Sequence, residues 1–530
     1  MSSAAKLKVE TLSNFLSTAP TDDDLLDNDE KKLVGLGYNQ EFKRELNFVS
    51  TFAIAFSVIG ILPSIESSLI YGIGYIGLPG ITWGWLIAAS GVISISLSMA
   101  ELASSTPTSG GLYYSAFMLS PKGWGPFLSW VTGWSNWLGQ VTWAPSVNYS
   151  LAQMIFGLVT INQPSFSATK WQIYLLTLML MTLLSIVASL PTKYLAHFNL
   201  VTTGIQIASY FIVCITLLAG NKRESPRFNS NHQVWSDFLN MTDWPNGIAM
   251  LMSFLCTIWA QAGFDGAFHL SEECSNADIA VPRAIVTSTT VGSAMGFLFL
   301  IVISYTLIDL PSVVSSGFPF AAYCDQVVSK KAALALVSLS AISTFFMGCS
   351  CSLTASRVFF SYARDGCFPF SDFLGKVSPV TKTPVRSVWA NYIVGILLCL
   401  LLFNEVAIGA IFSLGASAAY VAFILPVVLR NTVKRNSFSK GPWNLGKYSP
   451  FVGFYAIFFV SLMLVILCFP ANRGPNLEYS NMNWTVVCYW GSISIAIFWY
   501  LISARKWFKG PKRNTPNGIE AYNYKANVNF

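Results

Sequence analysis

The stretch GILPSIESSLI, residues 60–70, decides how this chain is read. Glu66 is the only acidic or basic residue between Leu46 and Ala100, and Gly60 and Pro63 interrupt the same apolar run. A long run without charge is typical of a membrane-spanning helix, in which every backbone polar group needs a partner and a central charge is costly. The stretch therefore predicts a broken membrane helix that carries a carboxyl group.

The composition extends this interpretation to the whole chain. Of its 530 residues, 53% are hydrophobic and 11% charged, with a mean hydropathy of +0.52, whereas soluble domains have roughly 25% charged residues. Uncharged runs of spanning length recur throughout, which predicts an all-α integral membrane protein and not a barrel. We predict twelve spans, at residues 47–70, 80–102, 124–148, 171–191, 195–219, 247–270, 285–308, 332–356, 387–404, 406–429, 450–470 and 484–503.

The distribution of Lys and Arg predicts the orientation. With the N-terminus inside, 25 of the 32 basic residues lie in the terminal tails and inner loops, so both termini are predicted to be cytoplasmic. The net charge of +7 reflects this bias and favours anionic lipid, and no nucleic-acid-binding motif accompanies it. Three glycosylation sequons, at Asn148, Asn240 and Asn483, fall on the predicted outer side.

The sequence favours neither a metal centre nor an active site. The ten cysteines show no metal-ligand spacing, and the three histidines leave little for a zinc site or a catalytic triad. We therefore predict no cofactor and no enzymatic activity. The domain prediction is a cytoplasmic N-terminal tail at 1–45, a transmembrane transporter domain at 46–505 and a cytoplasmic C-terminal tail at 506–530.

A second interruption occurs five spans later. Span six contains FLCTIWAQAGFDGAFHLSEEC, residues 254–274, in which Gly263 and Gly266 flank Asp265. Paired breaks at corresponding places in two halves indicate an inverted-repeat transporter with its binding site near the membrane midplane. The predicted fold is a LeuT-like 5+5 repeat, with repeats at about 46–220 and 245–430 and two extra helices at about 450–503. For any single glycine, close helix packing is an alternative.

The two buried acids raise the question of their partners. Neither span contains Lys or Arg, so Glu66 and Asp265 are expected to face a wet cavity, to meet a cationic group of a substrate, or to carry protons. For Glu66 an alternative is solvation near the outer headgroups, because Tyr71 follows shortly after it.

Several segments resemble one transporter superfamily. The segments MAELASSTPTSGGLYYSAFMLSPKGWGPFLSWVTGW (99–134), FHLSEECSNADIAVPRAI (268–285) and SRVFFSYARDGCFPFSDFLGKVSPVTKTPVRSVW (356–389) resemble the amino acid–polyamine–organocation superfamily. FSVIGILPSI and GFDGAFHLSEE are similar to its fungal amino-acid/choline branch. The resemblance covers almost the whole chain and implies a small substrate with an amino group: 4-aminobutyrate, 7-keto-8-aminopelargonate, a polyamine or choline.

The resemblance also implies site residues. Trp259, six positions before Asp265, matches an aromatic gate, with Phe264 as a second candidate and Gly263 between them in the break. Ser64 and Ile65 match a segment that holds a substrate carboxylate, which suits a helix N-terminus. The nearest relatives have a small residue where this chain has Glu66, which favours a more cationic substrate. Ordinary helix packing is the alternative for both aromatic residues.

The inner loops contain candidate gate residues. Glu101 begins the loop between spans two and three, and Arg357, Arg364 and Asp365 follow span eight. Salt bridges among such residues would close the cytoplasmic side. The alternative is that the positive residues only set the orientation.

The leading functional interpretation is a secondary active transporter that works by alternating access. The resemblance implies proton coupling, through Asp265 or Glu66, and a fungal plasma membrane, with a vacuolar or other internal membrane left open. The alternative is a permease-like nutrient sensor that binds without transporting. Exchange or facilitated diffusion would use the same fold.

Overall fold

The computed structural model describes residues 28–512 except 164, 317 and 404. The chain divides into two compact units, of which residues 42–512 form the larger. The other unit contributes one described helix, α1, at Asn28–Gly35. The predictions for the outer parts of both tails, 1–27 and 513–530, lie outside the described residues.

The described part of the larger unit is helical, and its one β-type pairing is an isolated bridge between Leu46 and Cys274. Its α-helices are α2 Phe48–Ile59, α3 Ile61–Ile76, α4 Leu78–Ser105, α5 Gly111–Leu119, α6 Gly125–Asn162, α7 Lys170–Ala188, α8 Thr192–Ala219, α9 Asn231–Trp235, α10 Asn246–Ala260, α11 Gly266–His269, α12 Ala277–Thr306, α13 Leu310–Val314, α14 Pro319–Val327, α15 Lys330–Arg364, α16 Ser371–Leu374, α17 Val385–Cys399, α18 Glu405–Asn431, α19 Ser449–Ile466 and α20 Gly491–Ile502.

The first predicted span is broken where the sequence indicates. A reciprocal cap between Asn47 and Ser50 begins α2, and Gly60 ends it in the left-handed region with φ of 47°. The same glycine begins α3, whose first turn contains Pro63. A proline there costs little, because amides of the first turn have no intrahelical acceptor. Glycine and proline thus divide one membrane-length segment into two helices.

The sixth predicted span is broken in a similar way. The helix α10 ends at Ala260, a turn follows over residues 261–265, and the short helix α11 begins at Gly266. Gly263, within the turn, has φ of 104°, a conformation that residues with a Cβ rarely adopt. Both interruptions that the sequence predicted are therefore present.

Eight described helical segments are long and apolar enough to cross a membrane: Phe48–Ile76, Leu78–Ser105, Lys170–Ala188, Thr192–Ala219, Ala277–Thr306, Lys330–Arg364, Leu414–Asn431 and Gly446–Ile466. Shorter apolar helical segments lie at Asn246–Ala260, Val385–Cys399 and Val486–Ile502. The helix α6 has 38 residues but is not among the eight, and its buried polar residues include Asn136 and Gln140. The eight long apolar segments indicate a multi-pass membrane protein.

Three helices extend eight residues or more beyond the predicted spans. The third span was placed at 124–148, whereas α6 continues to Asn162; the seventh was begun at 285, whereas α12 begins at Ala277; and the eighth was ended at 356, whereas α15 continues to Arg364. At the ends of spans three and eight, Asn148, Ser150 and Arg357 are polar residues that the structure buries. Asn148, the first sequon residue, is consequently not in a loop: it is fully buried within α6, and its side chain donates to the Ala144 carbonyl.

The packing of the helices brings the two breaks together. The segment α3 packs on α10, while α2 packs on α8 and α12. The long helix α6 packs on both α15 and α18. The broken segments therefore lie beside each other, with α6 and α15 close by.

Candidate functional site

The two helix breaks are in direct contact. Gly263 lies so close to Val58 of α2 that a Cβ at position 263 would overlap the valine side chain. A Cβ at Gly60 would lie 2.7 Å from the sulfur of Met347 in α15. Side chains at either position would force these segments apart, so the two glycines allow the close approach of the breaks to each other and to α15.

A small cavity lies beside the breaks. Its lining residues come from α2, α6, α15, α10 and the turn after α10; they are Val58, Trp143, Val147, Trp259, Ala262, Met347 and Cys351. The Trp259 ring packs on Phe412, with 4.6 Å between ring centroids. The indole N–H of Trp143 is buried and has no hydrogen-bond partner among the described residues. The lining is therefore mainly apolar and contains one available donor.

The predicted site residues divide between this cavity and helix interfaces. Trp259 lines the cavity, and Ser64 lies next to it, because its hydroxyl is 3.5 Å from the Met347 sulfur. The same hydroxyl donates to the Ile59 carbonyl, 2.6 Å away. Ile65 is fully buried away from the cavity lining. Phe264 packs on Phe423, with ring centroids 5.3 Å apart.

Glu66 is buried at a helix interface and only 1% exposed. One carboxyl oxygen accepts a hydrogen bond from Ser340 of α15, 2.7 Å away. The other oxygen has no hydrogen-bond partner among the described residues. This burial contradicts the alternative in which Glu66 is solvated near the headgroups.

The helix α15 shows how far Glu66 lies from the second break. Ser340 contacts Glu66, Met347 lines the cavity, and Thr354 lies against Gly266, 3.2 Å from the position of a Cβ there. At about 1.5 Å rise per residue, Ser340 and Thr354 are about 21 Å apart along the helix, with Met347 halfway. Glu66 and Gly266, the residue after Asp265, therefore lie against α15 at opposite ends of the cavity region.

Asp265 belongs to a buried polar cluster at the second break. Its Oδ2 atom accepts a hydrogen bond from Gln140 Nε2 at 2.9 Å, and His269 Nε2 lies 3.5 Å away. Asn136, one turn before Gln140 on α6, donates to Tyr362 at 3.0 Å. All five side chains are buried. The cluster thus joins the break to α6 and α15.

The neighbours of His269 determine its tautomer. Its Nδ1 atom lies 3.1 Å from the Ser109 carbonyl, which can only accept, so Nδ1 carries the hydrogen. Its Nε2 atom lies 2.9 Å from Asn136 Nδ2 and accepts from that amide.

Comparison with known proteins agrees with this arrangement. A family model described as amino acid permease matches residues 46–493. This chain belongs to the amino acid permease family. The match places this permease in the amino acid–polyamine–organocation superfamily that the sequence motifs resemble, and it is a multi-pass membrane transport protein for amino-acid-like solutes.

Three fungal relatives cover nearly the whole permease. An uncharacterised amino-acid permease of Schizosaccharomyces pombe is 51% identical over 94% of this chain and 93% of its own. A Candida albicans protein named provisionally as a polyamine transporter is 44% identical over 93% of this chain and 90% of its own. A GABA-specific permease of Saccharomyces cerevisiae is 31% identical over 92% and 86%.

Ion pairs join the segment after α11 to the end of α15. Arg357 contacts Glu273 at 2.9 Å and Arg364 contacts Glu272 at 3.1 Å; Arg357 and both acids are buried, and the Arg364 side chain is 8% exposed. Glu272 also accepts from the Ser109 backbone N–H at 3.0 Å. The two arginines of this permease are therefore paired with the acids of the segment 271–274.

Asp365 and Glu101 hold other parts of the predicted inner side. Asp365 accepts hydrogen bonds from the Tyr113 hydroxyl at 3.0 Å and the Lys512 backbone N–H at 3.2 Å. Glu101 accepts from Ser449 and from the Leu445 backbone N–H, and it lies 3.7 Å from Arg430. Glu101 thus anchors the segment before α19.

Sequence reasoning missed Asn136, Gln140 and His269. A signal was present for the first two, because amides four residues apart within one span share a helix face. His269 offered a weaker signal as a lone histidine near the break. Among the described residues, no group of three His, Cys, Asp or Glu side chains is placed to hold a metal ion.

Proposed function

We propose that this permease is a secondary active transporter that couples proton entry to the import of a small solute with an amino group. The observation that carries the proposal is the cavity between two interrupted helices, lined by Trp259 and next to Ser64. Interrupted helices in a membrane expose backbone groups only where protein or a cavity surrounds them. The Candida albicans and Saccharomyces cerevisiae names support amine substrates such as a polyamine or 4-aminobutyrate.

The proposed architecture is the twelve-helix inverted repeat. The eight long segments, the three shorter apolar ones and α6 together supply twelve spans. The transport domain covers 46–505, its repeats cover about 46–220 and 245–430, and the last two spans lie at about 450–503. Both termini are cytoplasmic, in keeping with the Lys and Arg distribution, and the membrane is the plasma membrane that the superfamily resemblance implies.

Each transport cycle alternates the side on which the cavity opens. Trp259 and Phe412 close the cavity toward the outside, and the ion pairs Arg357–Glu273 and Arg364–Glu272 close the inside. Opening the inside separates buried charges, which costs free energy unless water or other partners replace them. Solute binding supplies part of this free energy through contacts that differ between the two states.

The two buried acids have different proposed roles. Asp265 binds the amino group, because it lies at the second break beside the cavity. The next residue, Gly266, lies against Thr354, which is one helical turn from the cavity residue Cys351. Glu66 carries the proton, because a buried carboxyl with one hydrogen bond and no ion pair within the described part of the chain is accommodated far better when neutral. Loading both sites neutralises both carboxylates before the cavity closes.

The placement of Glu66 also widens the range of substrates. A carboxylate beside the substrate would repel the carboxylate of 4-aminobutyrate, but Glu66 contacts α15 about 10 Å from Met347. The N-terminus of α3, which no side chain caps, remains available to a substrate carboxylate. Zwitterionic and purely cationic amines therefore both fit the proposal.

Uptake in yeast that lacks its own related permeases tests this function. Cells expressing this permease should accumulate labelled putrescine or 4-aminobutyrate faster in acidic medium, and a protonophore should abolish the accumulation. Trp259→Ala should reduce uptake about tenfold or more by removing a buried aromatic contact. Trp83→Ala is the matched control, because Trp83 is 45% exposed and packs on Trp235 outside the cavity.

Two results would contradict the proposal. Unchanged uptake by Trp259→Ala would exclude the cavity as the binding site. Absence of uptake by surface-delivered protein that still binds an amine would favour the sensor. Protein abundance at the cell surface is measured for each variant, so that a folding defect is not mistaken for loss of transport.

A further inference from the structure

Three acceptor oxygens without donors belong to side chains of the polar cluster at the second helix break. They are Asn136 Oδ1, Gln140 Oε1 and Asp265 Oδ1, each buried and without a hydrogen-bond partner in the described part of the chain. The three residues have no exposed surface. Buried acceptors are normally paired, since an unpaired polar group loses its hydration without compensation. Their clustering around a carboxylate therefore points to a ligand that donates hydrogen bonds.

Existing contacts fix the orientation of both amides. Gln140 donates through Nε2 to Asp265, so a reversed amide would place its oxygen against the carboxylate. Asn136 donates through Nδ2 to both His269 and Tyr362. In the tautomer with hydrogen on Nδ1 alone, reversing Asn136 would set its oxygen against the Nε2 acceptor of His269. The three unpartnered atoms are thus acceptors in a defined arrangement.

The cluster is adjacent to the proposed substrate cavity. Gln140, Trp143 and Val147 follow at i, i+3 and i+7 on α6, so they share one helix face, and the last two line that cavity. Gln140 also borders a second small cavity, between α6, α7, α15 and α17. The Gln140 side chain therefore lies between two small cavities.

The chemistry of the cluster selects one kind of amine. We infer that Asn136, Gln140 and Asp265 bind the three N–H groups of a primary ammonium, and that this permease discriminates against N-methylated and quaternary amines. A primary ammonium offers three donors and a positive charge, which match three acceptors with one negative charge. A quaternary ammonium such as choline has no N–H and would leave all three oxygens unpaired. This inference rests on the proposed function and specifies its substrate class.

Other unpartnered amide oxygens differ in their surroundings. Gln206 Oε1 is also buried without a partner, but Gln206 donates to the Ser343 carbonyl and not to a carboxylate. The position of Gln206 on α8 makes it a control residue with the same chemistry in a different place.

A series of competitors tests the inference. Putrescine or 4-aminobutyrate, whichever is transported, is compared with analogues bearing one, two and three methyl groups on the nitrogen, and in the case of putrescine on both nitrogens, which keep the positive charge while removing N–H donors. Purified protein in detergent is titrated with the same series, and its thermal unfolding is followed to measure binding independently of transport. Each lost N–H should weaken binding about tenfold, as for loss of a charge-assisted hydrogen bond.

Variants separate hydrogen bonding from the size of the methyl groups. Gln140→Leu should weaken binding of the primary amine about tenfold and leave binding of the trimethylated analogue nearly unchanged. Gln206→Leu should retain the discrimination of the wild type. If Gln140→Leu fails to fold, Asp265→Asn replaces it as the test. This variant keeps the shape of the side chain and should abolish the preference for cationic amines.

The outcomes distinguish this inference from the proposed function. Equal binding of all members of the methylated series would overturn the inference, and so would unchanged discrimination in Gln140→Leu. Either result would indicate that water alone occupies the oxygens, even if uptake proceeds. Discrimination in the binding assay without uptake would support the inference and contradict transport. Absence of both binding and uptake would overturn both.

Discussion

Glu66 and Asp265 show how the same chemical group acquires different roles from its surroundings. Glu66 receives one hydrogen bond, from Ser340, in a helix interface. Asp265 receives one from Gln140 within a cluster of further acceptors at the helix break. The first environment favours an uncharged acid and the second a bound cation. We therefore assign proton binding to Glu66 and amine binding to Asp265.

Replacing Glu66 by Gln tests the proposed proton site. Gln resembles the protonated acid, so Glu66→Gln should bind amines normally but lose the stimulation of uptake by acidic medium and the ability to concentrate its substrate. The ratio of initial uptake rates in acidic and neutral medium measures the change. Asp325→Asn, at an exposed residue, should keep the wild-type ratio. An unchanged ratio in Glu66→Gln would assign proton coupling elsewhere.

The sequence predicted the chemistry of individual residues better than their partners. The sequence showed one acid within each of two apolar spans. Glycine in both spans, with proline in the first, showed that these spans are interrupted. The partner of Glu66 is 274 positions away at Ser340, and the tautomer of His269 depends on a carbonyl 160 positions away. Local patterns do not specify such contacts, because helix packing across the bundle creates them. The spacing of the amide pair on α6 was visible in the sequence, but its role was missed because its partners lie on other helices.

At the scale of elements, the ion pair between α15 and the segment after α11 should stabilise one packing of the inner side. Arg357→Met leaves Glu273 buried without its cation, which should cost about 3–5 kcal/mol in the free energy of unfolding. The double variant Arg357→Met with Glu273→Leu should be more stable than the single variant, because no uncompensated charge remains. Thermal unfolding in detergent measures both. Equal stability of the single variant and the wild type would show that the pair contributes little.

The segment after α20 forms a second contact with the end of α15. Phe508 is 1% exposed and lies on Trp130, with 5.1 Å between ring centroids. The Lys512 backbone N–H bonds to Asp365, and Cys367 is buried next to that contact. Burial, with a smaller contribution from the negative charge of Asp365, raises the pKa of the Cys367 thiol well above its usual value. Intact protein should therefore present little reactive thiolate at this position.

Shortening Phe508 should expose that thiol. Phe508→Ala should accelerate maleimide modification of Cys367, because water reaches the sulfur and its pKa falls toward the usual value. Subtracting the labelling of a matched Cys367→Ser background isolates this residue from the other cysteines. Trp83→Ala is the control, since Trp83 is 45% exposed and packs on Trp235, and its loss should leave the labelling rate almost unchanged. Equal rates in Phe508→Ala and the wild type would show that the segment does not cover the site.

For the molecule as a whole, both helix breaks and the membrane class followed from the sequence, whereas the lengths of the helices did not. A hydropathy boundary records where polar residues begin, and in α6 and α15 those residues are buried by neighbouring helices. The native sequons illustrate the same limit. Each amide of Asn240 and Asn483 makes two hydrogen bonds to neighbouring groups, and a sugar on the nitrogen would remove one of them. These sequons are poor reporters of orientation.

Engineered sequons in exposed loops should report the orientation instead. Ser167→Asn creates Asn-Ala-Thr between α6 and α7, and Ser437→Asn creates Asn-Phe-Ser after α18; both serines are exposed. The 38 residues of α6 extend about 57 Å, well beyond a hydrocarbon core of about 30 Å, so its end can stand clear of the membrane. With cytoplasmic termini, Ser167→Asn alone should gain a glycan that an endoglycosidase removes. A glycan on Ser437→Asn and none on Ser167→Asn would reverse the orientation, and with it the direction of proton-driven import.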